Sequence, residues 1–239
     1  MTHHASNLEI RIEDLGRLPY QEALELQRAR HQALVDARET GGGPMTILLV
    51  EHDPPVITVT ARPGVAEHLL VDETRLKAMG IELASTDRGG DITYHGPGQL
   101  VVYPILDLNA LHLRIHPYLR LLEEAVIRTL AEFGLHGERD HCATGVWLPG
   151  ESPEAPTRKI CAMGVRLSRW CSMHGLALNV DPDLSHFGLI VPCGLAGRPV
   201  TSFKQELGPQ APDMAQVRER LVAHLLAGLH AQHAAHETT

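Results

Sequence analysis

Cys193 stands between a proline and a glycine, in the tripeptide Pro192-Cys193-Gly194, a setting foreign to the interior of a strand. The glycine frees the next amide to turn toward the sulfur, as an oxyanion in acyl transfer requires. A free cysteine is elsewhere an inert, small apolar residue, so on its own the tripeptide leaves both readings open. The thiolate is the reactive form, and a nearby ammonium lowers a thiol pKa from about 8.5. Lysine and arginine together number 21, and only three are lysines, at 77, 159 and 204, leaving 18 arginines. Lysine can release its proton and arginine cannot, so a Cys–Lys pair demands lysine where this chain otherwise chooses arginine. Lys159 directly follows Arg158; Lys77, in a helical pattern, and Lys204 read as solvated.

Two further stretches carry unusual composition. Residues 88–100, RGGDITYHGPGQL, hold four glycines and a proline. Glycine lets a ligand approach the backbone closely, with Arg88, Tyr94 and His95 as polar handles; a bulged strand followed by a turn at Gly96-Pro97-Gly98 is the other reading. Neither GxxxxGK[ST] nor GxGxxG is present, so these residues name no nucleotide. Residues 158–180 read as two adjacent strands turning near Arg169-Trp170. Ala162, Gly164, Gly175 and Ala177 are small where bulky strand formers are expected, leaving either a groove or a tight packing contact. Cys142, Cys161 and Cys171 read as core or bystander thiols, and no CxxC pair suggests zinc or redox chemistry.

The elements that must hold these residues alternate in runs. Helical periodicity covers Tyr20 to about Thr40, Asp72–Met79 and Pro117–Phe133, where Tyr118, Leu122, Ala125, Val126, Thr129 and Phe133 share a face and Gly134 is placed to cap. A last helix starts at Asp213 with Gln216 reaching back in a capping box, its stripe Met214, Val217, Leu221, Leu225 and Gly228. Strand patterns cover Leu8–Ile12, Thr46–Val50, Val56–Thr60, Ile81–Ser85, Asp91–Tyr94, Leu100–Leu106, Gly145–Leu148, Ile160–Ser168 and Ser172–Val180. Runs of strands without strict βαβ alternation predict an α+β fold with a mixed, mostly antiparallel sheet flanked by helices. Pro149–Thr157 reads as a solvated loop, and residues 1–239 as a single domain.

A net charge of −8 with no basic cluster argues against nucleic acid or an anionic membrane as partner. The start lacks an apolar signal core, and the longest apolar run, Leu100–Leu106, falls far short of the ~20 residues of a membrane span. A reduced, soluble, cytoplasmic protein is expected. His230, His233 and His236 read as part of a solvated tail, with residues 231–239 disordered, and no metal site is expected.

The blocks RGGDITYHGPGQLVVYPILDL (88–108), RKICAMGVRLS (158–168), MHGLALNV (173–180) and PCG (192–194), in this order and spacing, resemble the motif set of the lipoyl(octanoyl) transferases, over roughly Glu51 to Phe203. The resemblance implies the fold of biotin and lipoate ligases, related to the class II tRNA-synthetase catalytic domain. It implies octanoyl transfer from octanoyl-acyl carrier protein to a lysine of lipoyl domains, in the E2 subunits of 2-oxoacid dehydrogenases and the glycine cleavage H protein. Cys193 would carry the acyl-thioester and Lys159 would lower its pKa and shuttle protons. The acyl pocket would be lined by Arg88, Gly89, Gly90, Asp91, Ile92, Thr93, Tyr94 and His95, by Ala162, Met163 and Gly164, and by Gly175, Leu176 and Ala177. No cofactor is implied, neither ATP nor a metal. The segment EHDPPVITVTARPG departs from the family pattern at Asp53 and Ala61, at one edge of the pocket. Because carrier proteins are acidic like this chain, a local basic patch is expected at the pocket mouth, from some of Arg62, Arg88, Arg158, Arg166 and Arg198.

Overall fold

Continuous apolar runs become the central strands of the larger of two sheets in the computed structural model, which describes residues 8–38, 42–150, 152, 154–191 and 198–237. Strands β2 (Met45–His52), β6 (Gln99–Ile105) and β10 (Cys171–Asn179) lie side by side, and β6 and β10 are buried at every position. A strand with no exposed residue needs cover on both faces. Outward from β10 follow β9 (Arg158–Ser168), β8 (Val146–Leu148) and the two-residue β7 (Glu138–Arg139), while β1 (Ile10–Leu18) closes the other edge beyond β2. Among the described strands of this sheet, only the β1–β2 pair is parallel. A second sheet orders β4 (Glu82–Thr86), β3 (Val56–Thr60) and β5 (Ile92–His95), with β3 parallel to β4 and antiparallel to β5. The expected mixed, mostly antiparallel α+β architecture is therefore the one observed.

Helix α1 (Tyr20–Ala37) follows Pro19 and turns Ala23, Leu24, Gln27, His31 and Leu34 inward at helical spacing, packing on β2, β6 and β10. The short α2 (Glu73–Ala78) is capped by Asp72, whose carboxylate accepts the Arg75 amide at 2.7 Å. Helix α3 (Ile115–Glu132) buries the predicted face and ends at Gly134, whose φ of 79° lies in the left-handed region. It packs on α5 (Met214–Glu237), where Val217, Leu221, Leu225 and Leu229 join the main core. The capping box forms as expected: the Gln216 amide donates to Asp213 at 2.8 Å, and the Asp213 amide donates to the Gln216 side chain at 3.0 Å.

Three differences from the sequence reading have local causes. The disorder expected over 231–239 is not found over 231–237, although His230 and His236 are exposed as a solvated segment requires: α5 continues to Glu237 through alanine-rich sequence, Gln232 donates to the Leu111 carbonyl, and His236 stacks on His112 at 4.8 Å. Strand β1 extends past the charged Glu13 and Asp14 to Leu18 by a register shift between Asp14 and Arg17. A short α4 (Phe203–Leu207) forms because Ser202 caps it, accepting the Gln205 amide at 3.1 Å. Among the described residues, no helix is long and apolar enough to cross a membrane.

Candidate active site

The hairpin that joins β9 to β10 turns on Arg169 and Trp170, and its ladder pairs Gly164 with Gly175 and Ala162 with Ala177. The small residues expected to face one another do so. At the glycines the space is taken by backbone: a Cβ on Gly164 would lie 2.5 Å from the Gly89 carbonyl oxygen, and one on Gly175 would lie 2.1 Å from that of Val102. Gly164 thus lets the Arg88-Gly89-Gly90 segment lie against β9, where the Gly89 amide donates to the Val165 carbonyl at 3.0 Å. Arg88 holds the same segment to the small sheet through Thr58, at 2.9 Å to its hydroxyl and 3.2 Å to its carbonyl. Between these walls lies a cavity of about 350 Å³, lined by residues of β5, β6, β9 and β10 and by the 142–144 loop. That volume is in the range of small-ligand pockets.

Lys159 lines this cavity near the start of β9. Its amide donates to the Pro199 carbonyl and its carbonyl accepts the Thr201 amide, both at 2.9 Å, so the 199–201 segment brackets it. Its Nζ lies 4.6 Å from the centre of the Trp147 ring. The 142–144 loop beside it is held from two directions. Asp140 accepts the amides of Cys142 and Ala143 at 2.8 and 3.0 Å, and the buried Glu123 of α3 accepts the Gly145 amide at 3.2 Å. Burial pushes the Cys161 thiol well up, and burial together with Asp107 pushes Cys171 up to about 11, so these two are poor nucleophiles, whereas the exposed Cys142 lines the cavity itself.

Part of the cavity wall is made of neutral polar rings that sequence reasoning did not single out. Tyr20, Tyr103 and His174 line it together with His95, and His52 lies behind them, its Nε2 2.7 Å from the Tyr103 hydroxyl. Burial pushes His52 down to about 4 and His95 well below its ordinary value, the latter helped by the neighbouring His52. His174 is lowered as well, chiefly by burial, although its Nε2 lies 2.8 Å from Asp87. Burial opposes ionisation of Asp87, yet the His174 hydrogen bond and the Arg166 charge hold it below the usual carboxylate range. His174 also adopts a φ of 57°, a left-handed conformation inside a strand, and such strain collects at functional sites. The one sequence signal for it is its place before Gly175 in the HGLA block.

Of the fourteen pocket residues implied by the resemblance, the cavity collects Arg88, Gly90, Ile92, Thr93 and His95, then Ala162, Met163 and Gly164, and Gly175, Leu176 and Ala177. Gly89, Asp91 and Tyr94 are turned to other tasks. Gly89 lies beneath Val165, Asp91 meets Arg62 at 3.3 Å, and Tyr94 packs in the core of the small sheet with its hydroxyl 2.9 Å from His186. Cys193, with Pro192 and Gly194, lies outside the described residues. Four of the five arginines expected in a basic patch are paired with acids, Arg62 with Asp91, Arg158 with Glu206, Arg166 with Asp87 and Arg198 with Asp140, while Arg88 lines the cavity and bonds to Thr58 and to the Gly89 carbonyl. Among the described residues no group of three His, Cys, Asp or Glu side chains is arranged to hold a metal.

Solved structures with this fold include a lipoate protein ligase from Thermoplasma acidophilum, at a TM-score of 0.68 and 21% identity over 94% of this chain and 85% of that one. A lipoate-protein ligase A solved with ATP bound matches at a TM-score of 0.66 and 20% identity, covering 93% and 86%. A biotin protein ligase from Aquifex aeolicus matches at 0.50 and 13%, covering 94% and 71%. The fold is therefore the α+β fold shared by lipoate and biotin protein ligases. The family model of the lipoyl protein ligase A/B catalytic domain matches residues 19–226. An octanoyltransferase from Flavobacterium johnsoniae is 47% identical over 226 residues, covering 92% of this chain and 96% of that protein, and one from Bacteroides fragilis is 49% identical over 217, covering 90% and 96%. The chain belongs to this lipoyl protein ligase A/B family, among its lipoyl(octanoyl) transferases, and is an acyltransferase.

Proposed function

We propose that this enzyme moves an octanoyl group from octanoyl-acyl carrier protein to a lysine of lipoyl domains, through a thioester on Cys193. The acceptors would be the E2 subunits of 2-oxoacid dehydrogenases and the glycine cleavage H protein, in a reducing, cytoplasmic setting. The observation that carries the reading is Lys159 on the wall of a cavity whose lining comes from three of the four motif blocks. In the first step the Cys193 sulfur bonds to the octanoyl carbonyl carbon, the bond to the carrier's thiol breaks, and that thiol leaves with a proton. One thioester replaces another, so the step needs no ATP. In the second step the neutral amine of the acceptor lysine attacks the same carbon, the carbon–sulfur bond to Cys193 breaks as the amide forms, and the proton lost by the amine restores the Cys193 thiol. Lys159 takes the thiol proton and returns it to the leaving group, and its ammonium favours the thiolate in between. The neutral His95 and His174 and the apolar Ile92, Met163 and Leu176 suit an uncharged alkyl chain better than a charged ligand.

The test is the intact mass of the protein after incubation with octanoyl-acyl carrier protein without ATP. The expected result is a gain of one octanoyl group, lost in Cys193→Ala and discharged by adding a lipoyl domain, whose own mass then rises by the same amount. An unchanged enzyme mass, or transfer that appears only with free octanoate and ATP, would overturn the reading.

A further inference from the structure

Trp147 sits where three segments that frame Lys159 meet. It is the middle residue of β8, 1% exposed, and pairs directly with Lys159 across the ladder to β9. The same ring that lies 4.6 Å from the Lys159 Nζ lies 3.7 Å from the guanidinium carbon of Arg198. Arg198 in turn donates to Asp140 at 2.6 Å and to the Thr157 hydroxyl. Through Asp140 it reaches the loop of Cys142 and Ala143, and by chain continuity it leads into the 199–201 segment whose backbone brackets Lys159. One indole thus touches the lysine and the arginine that joins both neighbouring loops.

The face of an indole attracts ammonium and guanidinium groups. Lysine has a long, flexible side chain, and seating its end on a buried ring confines the Nζ to one region of the cavity wall. Two cations on one ring also repel each other, a repulsion that Asp140, 2.6 Å from Arg198, offsets only in part because it lies on the far side of the guanidinium's hydrogen bond and not on the ring. Arg198 cannot give up its proton, so only Lys159 can relieve that repulsion, by becoming neutral. We propose that Trp147 and Arg198 are positioning residues for acyl transfer: the indole seats Lys159 at the cavity wall, and Arg198 fixes that seat to both loops and biases the lysine toward its proton-accepting form. This inference rests on the reading of Lys159 as the proton carrier. Other charged or titratable groups near Lys159 are Cys161, Glu123 with Arg139, and Arg158 with Glu206. Arg88, His95, His174 and Cys142 line the same cavity.

The scarcity of lysine makes the test direct, because a protein labelled with ¹³C-lysine gives side-chain signals from three residues only. Lys159→Arg identifies the Lys159 signal by its loss. Its Hε protons are expected upfield from the ring current, and this shift should persist in Trp147→Phe and vanish in Trp147→Leu. Arg198→Gln removes a cation and leaves Asp140 without its partner, so the Lys159 titration midpoint should rise by about half a pH unit or more, and Arg198→Lys should restore it. Transfer by Trp147→Leu and Arg198→Gln should fall about tenfold or more. Arg198 is partly exposed, so its variants keep the test open should Trp147→Leu fail to fold. An acylating enzyme whose Lys159 signal and midpoint are unmoved by these changes overturns the inference alone. An enzyme that takes up no octanoyl group overturns the functional reading, and with it the role given to Lys159.

Discussion

The Thr201 carbonyl has no proton to give, and that sets the protonation of His95 three hydrogen bonds away. The carbonyl accepts from the Asn179 amide nitrogen at 2.9 Å, so the Asn179 oxygen faces Gln99 and accepts from its amide nitrogen at 2.9 Å. The Gln99 oxygen is then left to accept from His95 Nδ1 at 2.7 Å. His95 must therefore carry its proton on Nδ1 and keep a lone pair on Nε2, and burial keeps the ring neutral. The relay is built from buried groups, Gln99 at 1% and Asn179 at 4% exposure, where a reversed amide would leave polar atoms unsatisfied. Long-range ¹H–¹⁵N NMR should find His95 as the neutral Nδ1–H tautomer at pH 6. Gln99→Glu, which replaces a neutral acceptor with an anion, should raise the His95 midpoint, and an Nε2–H tautomer in the wild type would refute the relay. Nothing in the sequence around His95 announces this wiring, because Gln99, Asn179 and Thr201 come from β6, β10 and the segment before α4.

Among the elements, the placement of the Arg88-Gly89-Gly90 segment depends on a missing side chain in β9. Gly164→Ala would drive a Cβ into the Gly89 carbonyl oxygen, which is backbone and cannot swing aside. The segment must shift, at a cost of about 1–3 kcal/mol, and Arg88 moves with it. Gly228→Ala in α5 is the matched control: its Cβ would meet only Leu121, at 3.5–3.8 Å, and should stabilise by up to about 1 kcal/mol. Urea unfolding of the two variants should show opposite signs, with octanoyl loading impaired only in Gly164→Ala; equal stability in both would contradict the docking argument. The parts of the fold that were legible are those written locally. Asp72 and Asp213 mark helix starts through bonds spanning three residues, and the apolar runs of β6 and β10 mark buried strands. The two-residue β7 and α4 carry no period to read, and β1 hides behind its charged residues. The site divides the same way. The RGG, KICAMG and HGLA blocks are contiguous and visible, whereas Tyr20, Tyr103, Trp147 and Arg198 reach the cavity wall or Lys159 only through pairings such as Trp147 opposite Lys159, which tertiary structure decides.

For the molecule as a whole, the buried neutral histidines and the paired carboxylates both direct instability toward acid. His52 is fully buried, and its folded value of about 4 lies below the 6.5 it has in the unfolded chain. Between those values the unfolded state binds the extra proton, so stability falls as pH drops from 6.5 through 4 and does not fall further on this account below that. The gap corresponds to something on the order of 3 kcal/mol, and His95 and His174, also lowered chiefly by burial, add in the same direction. Carboxylates extend the loss to lower pH. Asp140, held down to about 2 first by Arg198, contributes stability above its unfolded value of 3.8 and loses it as pH falls toward 2. Against a net charge of −8, protonation near neutrality would by itself relieve self-repulsion and stabilise, so the two effects compete with opposite sign. The buried ring is the larger of the two, because surface charges are screened and His52 is not. Urea unfolding at pH steps from 7 to 4 should therefore show stability declining before any carboxylate titrates. His52→Gln, which offers Leu18 and Tyr103 a neutral partner that does not titrate, should be less stable at pH 7 yet show a shallower decline between pH 6.5 and 4. A decline as steep as that of the wild type would place the acid sensitivity elsewhere than in the rings behind the cavity.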